Sequence, residues 1–178
     1  NARLTNVTAV FEVPETWLTN LVLQSPAADV SSASLTPLSP NRLRVVLNLD
    51  PVLAQTGRRE AAQLGFRSVV TGHSGIVPLG VTEPAALLAD GKPVAKTQAA
   101  SGHVVVVQDE PVLAVGAPPW MSVVLYGHAG ATYDLESTPA LPPPSWQVVQ
   151  TVTLSGPFLP IDGLGLDGAS TFYRARQK

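Results

Sequence analysis

The punctuation of this chain restricts its fold more than any other feature. Seventeen prolines and fourteen glycines are spread along all 178 residues and break it about every ten residues. Proline lacks the N–H a helix interior needs, and glycine there costs backbone entropy, so long helices are disfavoured throughout. The stretches between breaks are rich in valine and threonine, whose branched side chains suit a pleated strand. Short strands separated by turns predict an all-β chain of the sandwich type.

Period-two patterning supplies the strands. In residues 4–13, Val7, Ala9, Phe11 and Val13 fall on one face and Asn6, Thr8 and Glu12 on the other, with Leu4 and Val10 as exceptions. Pro14 ends the run. In residues 42–49, Leu43, Val45, Leu47 and Leu49 share the inner face, while Arg42, Arg44 and Asn48 face water. Further strands are expected over 18–23, 63–70, 75–81 and 103–107, then 111–116, 121–126, 132–136, 145–154, 158–161 and 171–176. The only helical candidate, 58–64, is too short to stand alone and is read as a turn entering a strand. Trp146, Val148, Val152 and Leu154 are placed on one face, with Trp146 as the core tryptophan.

Two resemblances organise these strands. Gly127, Gly130, Tyr133, Leu135, Glu136 and Ser137, then Trp146, then Phe172-Tyr173-Arg174, follow the order G-x-x-G-x-x-Y-x-L-E, tryptophan strand, F-Y-R. This resembles the small immunoglobulin- or fibronectin-III-like modules of secreted bacterial proteins and covers residues 108–178. Upstream, Leu64 and Phe66, Ser74 and Pro78-Leu79, Asp90-Gly91 with Val94, and Gly102 with Val104 and Val106 are similar to the second half of a cohesin-like sandwich. The first half of that pattern is poorly represented at 18–26. The resemblances imply two tandem β-sandwiches, immunoglobulin-like or jelly-roll-like, with an arm strand at 1–14, a cohesin-like domain at 15–108 and an immunoglobulin-like domain at 109–178. They also imply a secreted or cell-surface location. A start at Asn1 fits a processed, exported polypeptide.

Composition narrows the chemistry. A net charge of -2 gives no basic stripe for nucleic acid. Apolar runs such as 104–107 are strand length, far short of the ~20 residues of a membrane span. Cysteine is absent, which removes disulfides, thiolate chemistry and the common structural zinc sites. Gly163, Gly165 and Gly168 spell a dinucleotide-like G-x-G-x-x-G, but only ten residues follow, too few for the required helix and second strand. Gly72-His73-Ser74 has Ile76 where a nucleophile elbow needs glycine. His73, His103 and His128 form no ligand pair and are read as solvated loop residues. Asp90, Asp162 and Asp167 read as turn caps rather than calcium ligands, and no two carboxylates are singled out for glycoside hydrolysis. The expectation is a protein without catalytic residues, cofactor or metal.

Binding and assembly remain. A sandwich short of one strand leaves an open groove and unpaired backbone groups. Residues 4–13, through Val7, Ala9, Phe11 and Val13, are the candidate donor strand for the groove of the next copy. The expected function is a structural subunit of an extracellular bacterial filament, a head-to-tail homopolymer joined by strand donation. Folding of the arm into its own domain is the competing reading. The alternative function is a carbohydrate- or protein-binding accessory module, with Trp120 as the candidate exposed aromatic beside Trp17, Trp146 and Tyr126. A cohesin recruiting a dockerin and a hydrolase rank below these. Glycans are possible partners, with loop serines and threonines at 31–39 and Thr138, and the Asn6-Val7-Thr8 sequon, as attachment candidates.

Overall fold

A computed structural model describes residues 3–24, 27–52, 60–116, 123–142, 145–164 and 171–178. Thirteen strands and no helix occur among them. The strands are β1 (Leu4–Glu12), β2 (Leu18–Gln24), β3 (Val30–Ser39), β4 (Arg42–Leu49), β5 (Gln63–Ser68), β6 (Gly75–Leu88) and β7 (Gly102–Val106), then β8 (Val112–Val115), β9 (Val123–Tyr126), β10 (Thr132–Thr138), β11 (Gln147–Thr153), β12 (Phe158–Ile161) and β13 (Phe172–Gln177). The all-β class expected from the punctuation is what the chain adopts. Two compact units emerge: one holds Asn1–Val69 and Val77–Val104, the other Val70–Ile76 and Val105–Lys178. The chain therefore changes unit three times, after Val69, after Ile76 and after Val104, the last ahead of Asp109.

The first unit is built on a five-stranded sheet ordered β3-β4-β1-β6-β7, with a two-stranded ribbon of β2 and β5. Registration explains the inner face. Val7, Ala9 and Phe11 of β1 stand opposite Leu47, Val45 and Leu43 of β4, which stand opposite Ala33, Leu35 and Pro37 of β3. Val45 and Leu49 are buried, as the alternation of residues 42–49 predicts. Leu18 of β2 is fully buried. The tip after β6 is a tight turn with Gly91 at φ 80, a conformation glycine adopts without Cβ strain. There the Asp90 carboxylate accepts the Lys92 N–H at 3.0 Å, the turn cap expected of it.

Residues 31–39 correct the sequence reading. They form most of β3 rather than a loop, and β3 is the edge of the large sheet. Ala33 and Leu35 point inward while Ser31, Ser32 and Ser34 face water. An edge strand tolerates Pro37, because one side of its ladder has no partner to lose.

The second unit has two three-stranded sheets, β11-β10-β13 and β12-β9-β8. Its core is Val123, Leu125, Tyr133, Leu135, Val152, Leu154 and Ile161, with Leu113, Leu159, Leu164 and Ala175 packed around it. Trp146 is not in that core: it is half-buried and lies just before β11. Thr138 is also no loop residue. It ends β10, is 1% exposed, and donates its hydroxyl to the Ala140 carbonyl at 3.1 Å.

Gly127, Gly130 and Tyr133 have a physical reason here. The Tyr133 hydroxyl is buried and accepts the His128 backbone N–H at 2.8 Å, pinning the turn before β10 to the core. A Cβ on Gly127 would sit 2.6 Å from that oxygen and 2.9 Å from Leu154 Cδ1. Gly130 turns the chain at φ 85.

Candidate assembly site

The candidate donor strand is β1, and in the single chain it is a central strand. It pairs antiparallel with β4 from Asn6 to Glu12 and with β6 from Leu4 to Glu12. Two irregularities bracket it. Thr5 is an extra residue against β6, and its hydroxyl donates toward the Leu87 and Leu88 carbonyls. Between Thr8 and Val10 the extra residue is on β6, where Glu83 takes φ 49 beside Pro84. The two bulges hold β1 in one register.

Val7, Ala9 and Phe11 line a cleft of about 370 Å³ together with Leu23, Val45, Leu47, Ala61, Ala62 and Leu64, apolar but for Glu60. Among the described residues a ribbon of two strands lies opposite a sheet of five, and the three side chains stay only half-buried. Val13, the fourth candidate, is 1% exposed just beyond β1. Val10, the exception to the alternation, is equally buried on the opposite face.

The exit of β1 is built tightly. Val13 N–H donates to the Asn41 carbonyl at 2.8 Å, and Trp17 and Leu18 N–H both donate to the Pro14 carbonyl at 3.0 Å. Asn41, at φ 62 in the β3–β4 turn, accepts the Glu15 N–H on its side-chain oxygen at 2.8 Å. Arg42 stands between Glu83 at 2.5 Å and Glu12 at 4.0 Å. These groups are exposed, so the pairs add little stability. The Asn6 side chain donates to Asn48 Oδ1 at 2.8 Å, so a glycan at the sequon would displace that bond.

In the second unit the structure unites three residues that the sequence reading kept apart. The Arg174 guanidinium lies 4.3 Å above the Trp146 ring, and its Nε donates to Glu136 at 2.5 Å. Glu136 is nearly buried and Arg174 half-exposed, so the cation is held between ring and carboxylate. The signal was present in the motif, whose glutamate, tryptophan and arginine are these three residues. Period-two reasoning sent Trp146 to the core instead.

The histidines have separate surroundings. His128 is exposed, but its Nε2 lies 2.7 Å from the Gln108 carbonyl, so it is bonded rather than merely solvated. Gln108 also anchors the Gly72-His73-Ser74 loop: its Oε1 accepts the Thr71 and Gly72 N–H groups at 3.0 and 2.6 Å, and its own N–H goes to Ser74 Oγ at 2.7 Å. Sequence reading missed Gln108. The Ser74 hydroxyl oxygen thus accepts a backbone N–H in a loop. Among the described residues no cluster of three or more His, Asp or Glu side chains could hold a metal ion. No helix among them is long and apolar enough to cross a membrane.

Of the proposed aromatic platform, Tyr126 instead packs against Phe158, with ring centroids 6.0 Å apart. Trp17 belongs to the first unit, and Trp120 lies outside the described residues, as do Gly165, Gly168 and Asp167. No family model and no curated protein matches this chain.

Proposed function

We propose that this chain is a non-catalytic structural subunit of an extracellular filament, in which copies are joined head-to-tail by exchange of β1. The observation that carries the reading is the place of this strand. It fills a slot between β4 and β6, and its inner side chains form one wall of an apolar cleft. Donation to another copy means that β1 leaves its own slot and enters the equivalent one.

The energetics are compatible with exchange. Val13 is buried and Val7 and Phe11 half-buried, which contributes on the order of 3–6 kcal/mol, and ladder bonds add ~1 kcal/mol apiece. Those terms are nearly equal in cis and in trans, since the slot is the same. The outcome is decided by the turn at Val13–Trp17, by any added contact between copies, and by the ~4–15 kcal/mol cost of bringing two bodies together. Donor and acceptor surfaces differ, so successive exchange is heterologous and builds an open fibre.

The absence of cysteine makes a clean test available. Thr8 and Val46 are cross-strand partners. Chains carrying only Thr8→Cys are mixed with chains carrying only Val46→Cys and oxidised. Exchange yields an intermolecular disulfide between the two kinds of chain, at a rate well above a control pairing of Thr8→Cys with Ser39→Cys. Equal, slow cross-linking of both pairs, with only single particles in electron micrographs, would refute the proposal.

The exposed Phe158 against Tyr126 favours a second reading, an accessory module that stacks on a sugar or an apolar partner. A glycan array probed with the wild type and with Phe158→Ala tests it, and loss of a bound glycan in the variant would support it.

A further inference from the structure

Strand edges offer rows of unpaired backbone donors and acceptors, and the folded chain protects them unequally. β12 carries Pro160, β3 carries Pro37 and two irregularities, and β8 and β7 are short. β5 carries Arg67, and β2 is bent at Asn20, which takes φ 52. β13, one edge of its three-stranded sheet, presents Arg174 and Arg176 and is followed by Lys178. The opposite edge of that sheet is β11, Gln147–Thr153, which has no proline, glycine or charge.

The neutrality extends beyond the strand: no charged residue occurs from Ser137 to Ile161. Gln147, Val148, Val149, Gln150, Thr151 and Thr153 are all exposed, Val148 at 54% and Val149 at 49%. One irregularity, between the partners of Leu135 and Glu136, is its only departure from regular pairing with β10. That irregularity falls at Val149, and Gln150 to Thr153 pair regularly beyond it, so an edge of high β-propensity without proline, glycine or charge is a template for another strand.

We propose that β11 is a self-association edge, and that its occupant is β11 of a second copy running antiparallel to form one continuous sheet across both. Charge decides the occupant. Two cationic β13 edges laid antiparallel would set arginines against each other, whereas two β11 edges oppose only amide, hydroxyl and valine side chains. Pairing a strand with itself about a two-fold axis is isologous and closes at two copies. It is therefore a separate contact from the head-to-tail exchange of β1, and it does not depend on it. A ladder of this length covers much less than the ~800 Å² per partner of a standard interface, so the pairing is reversible and depends on concentration.

The test is sedimentation velocity on the full chain up to about 100 µM, a range suited to a contact of this strength. In samples where the Thr8–Val46 cross-link reports no exchange of β1, wild type is expected to show a monomer–dimer equilibrium. Val149→Lys, which sets like charges near the two-fold, is expected to weaken it by at least about ten-fold. An equimolar mixture of Val149→Lys with Val149→Glu is expected to restore dimers that neither variant forms alone. Gln150→Lys and its glutamate counterpart repeat the design should Val149→Lys fail to fold. A wild type that stays monomeric, or a dimer insensitive to both lysine substitutions, overturns the proposal. A dimer lost in the lysine variants without rescue by the mixture overturns the antiparallel self-pairing. The Thr8–Val46 cross-link is unaffected by Val149→Lys if the two contacts are independent, so failure of one reading leaves the other measurable.

Discussion

Replacing Gly127 with alanine tests the core of the second unit at a point where nothing can yield easily. The new Cβ would stand 2.6 Å from Tyr133 Oη, 2.7 Å from Tyr133 Cζ and 2.9 Å from Leu154 Cδ1, all closer than side-chain carbons tolerate. Tyr133 and Leu154 are fully buried, so neither can swing into solvent. Gly65 and Gly80 make equally short approaches, but to the side chains of Gln24 and Glu12, which are exposed and free to move. Overpacking of this kind costs about 1–3 kcal/mol. Tyr133→Phe alone removes the acceptor of the His128 N–H and costs about 0.5–1.5 kcal/mol.

The decisive measurement is the double variant. Phenylalanine at 133 lacks the oxygen that Cβ meets first, so part of the strain disappears with it. Gly127→Ala with Tyr133→Phe should therefore be less destabilised than the sum of the single changes, by about 0.5–1 kcal/mol. Denaturant-dependent amide exchange at Tyr133, Leu135 and Val152 reads this directly, with Val10 and Val45 of the first unit as internal controls. A Gly127→Ala protein as stable as wild type would refute the steric argument. So would strict additivity, since it would mean that Tyr133 does not receive the clash.

Three further outcomes are expected. Glu136→Ala and Trp146→Ala should each destabilise the second unit by about 1–2 kcal/mol, because the first removes the carboxylate that accepts from Arg174 and the second the ring beneath it, a loss measurable by urea unfolding. Asp134 has its pKa lowered, first by the hydrogen bond from Thr151 and then by Lys178 and Arg176, with desolvation opposing. A depressed folded pKa gives stability that is present above the unfolded value of 3.8 and lost as pH falls through the lower folded value, so Asp134→Asn should flatten the acid limb of thermal stability below about pH 4. Asn41, at φ 62, should accept glycine with a small loss of its bond from Glu15 N–H, while Asn41→Val should cost about 1–3 kcal/mol by thermal melting, since a branched side chain resists that conformation.

Local rules made much of the fold legible. The alternation of Leu43, Val45, Leu47 and Leu49 anticipated β4, and Asp90-Gly91 anticipated the turn after β6, because both depend on neighbours in sequence. The six strands expected after residue 108 all appear. β3 was hidden because its inward face is only Val30, Ala33 and Leu35, while serines and Pro37 gave it the look of a loop. Strand β6 runs on to Leu88 through Glu83 and Pro84, a pair that reads as a break but forms a bulge. The cleft was not legible: the groove expected from the sequence was one that residues 4–13 of another copy would fill, whereas in the single chain these residues lie between β4 and β6 and line the cleft themselves. Glu136, Trp146 and Arg174 meet only through pairing of β10 with its neighbours, and the reach of Gln108 to Thr71 spans 37 positions.

The path of the chain has a practical consequence. Residues 70–76 group with the later unit although they lie within the earlier stretch, so the polypeptide passes from one unit to the other three times. Neither half is an uninterrupted piece of gene. A fragment starting at Val105 would keep Gln108 but abandon Thr71, Gly72 and Ser74, the groups that its amide and backbone engage. Cutting this protein into working parts therefore calls for a graft of that loop or a rearranged chain order, rather than a single stop codon.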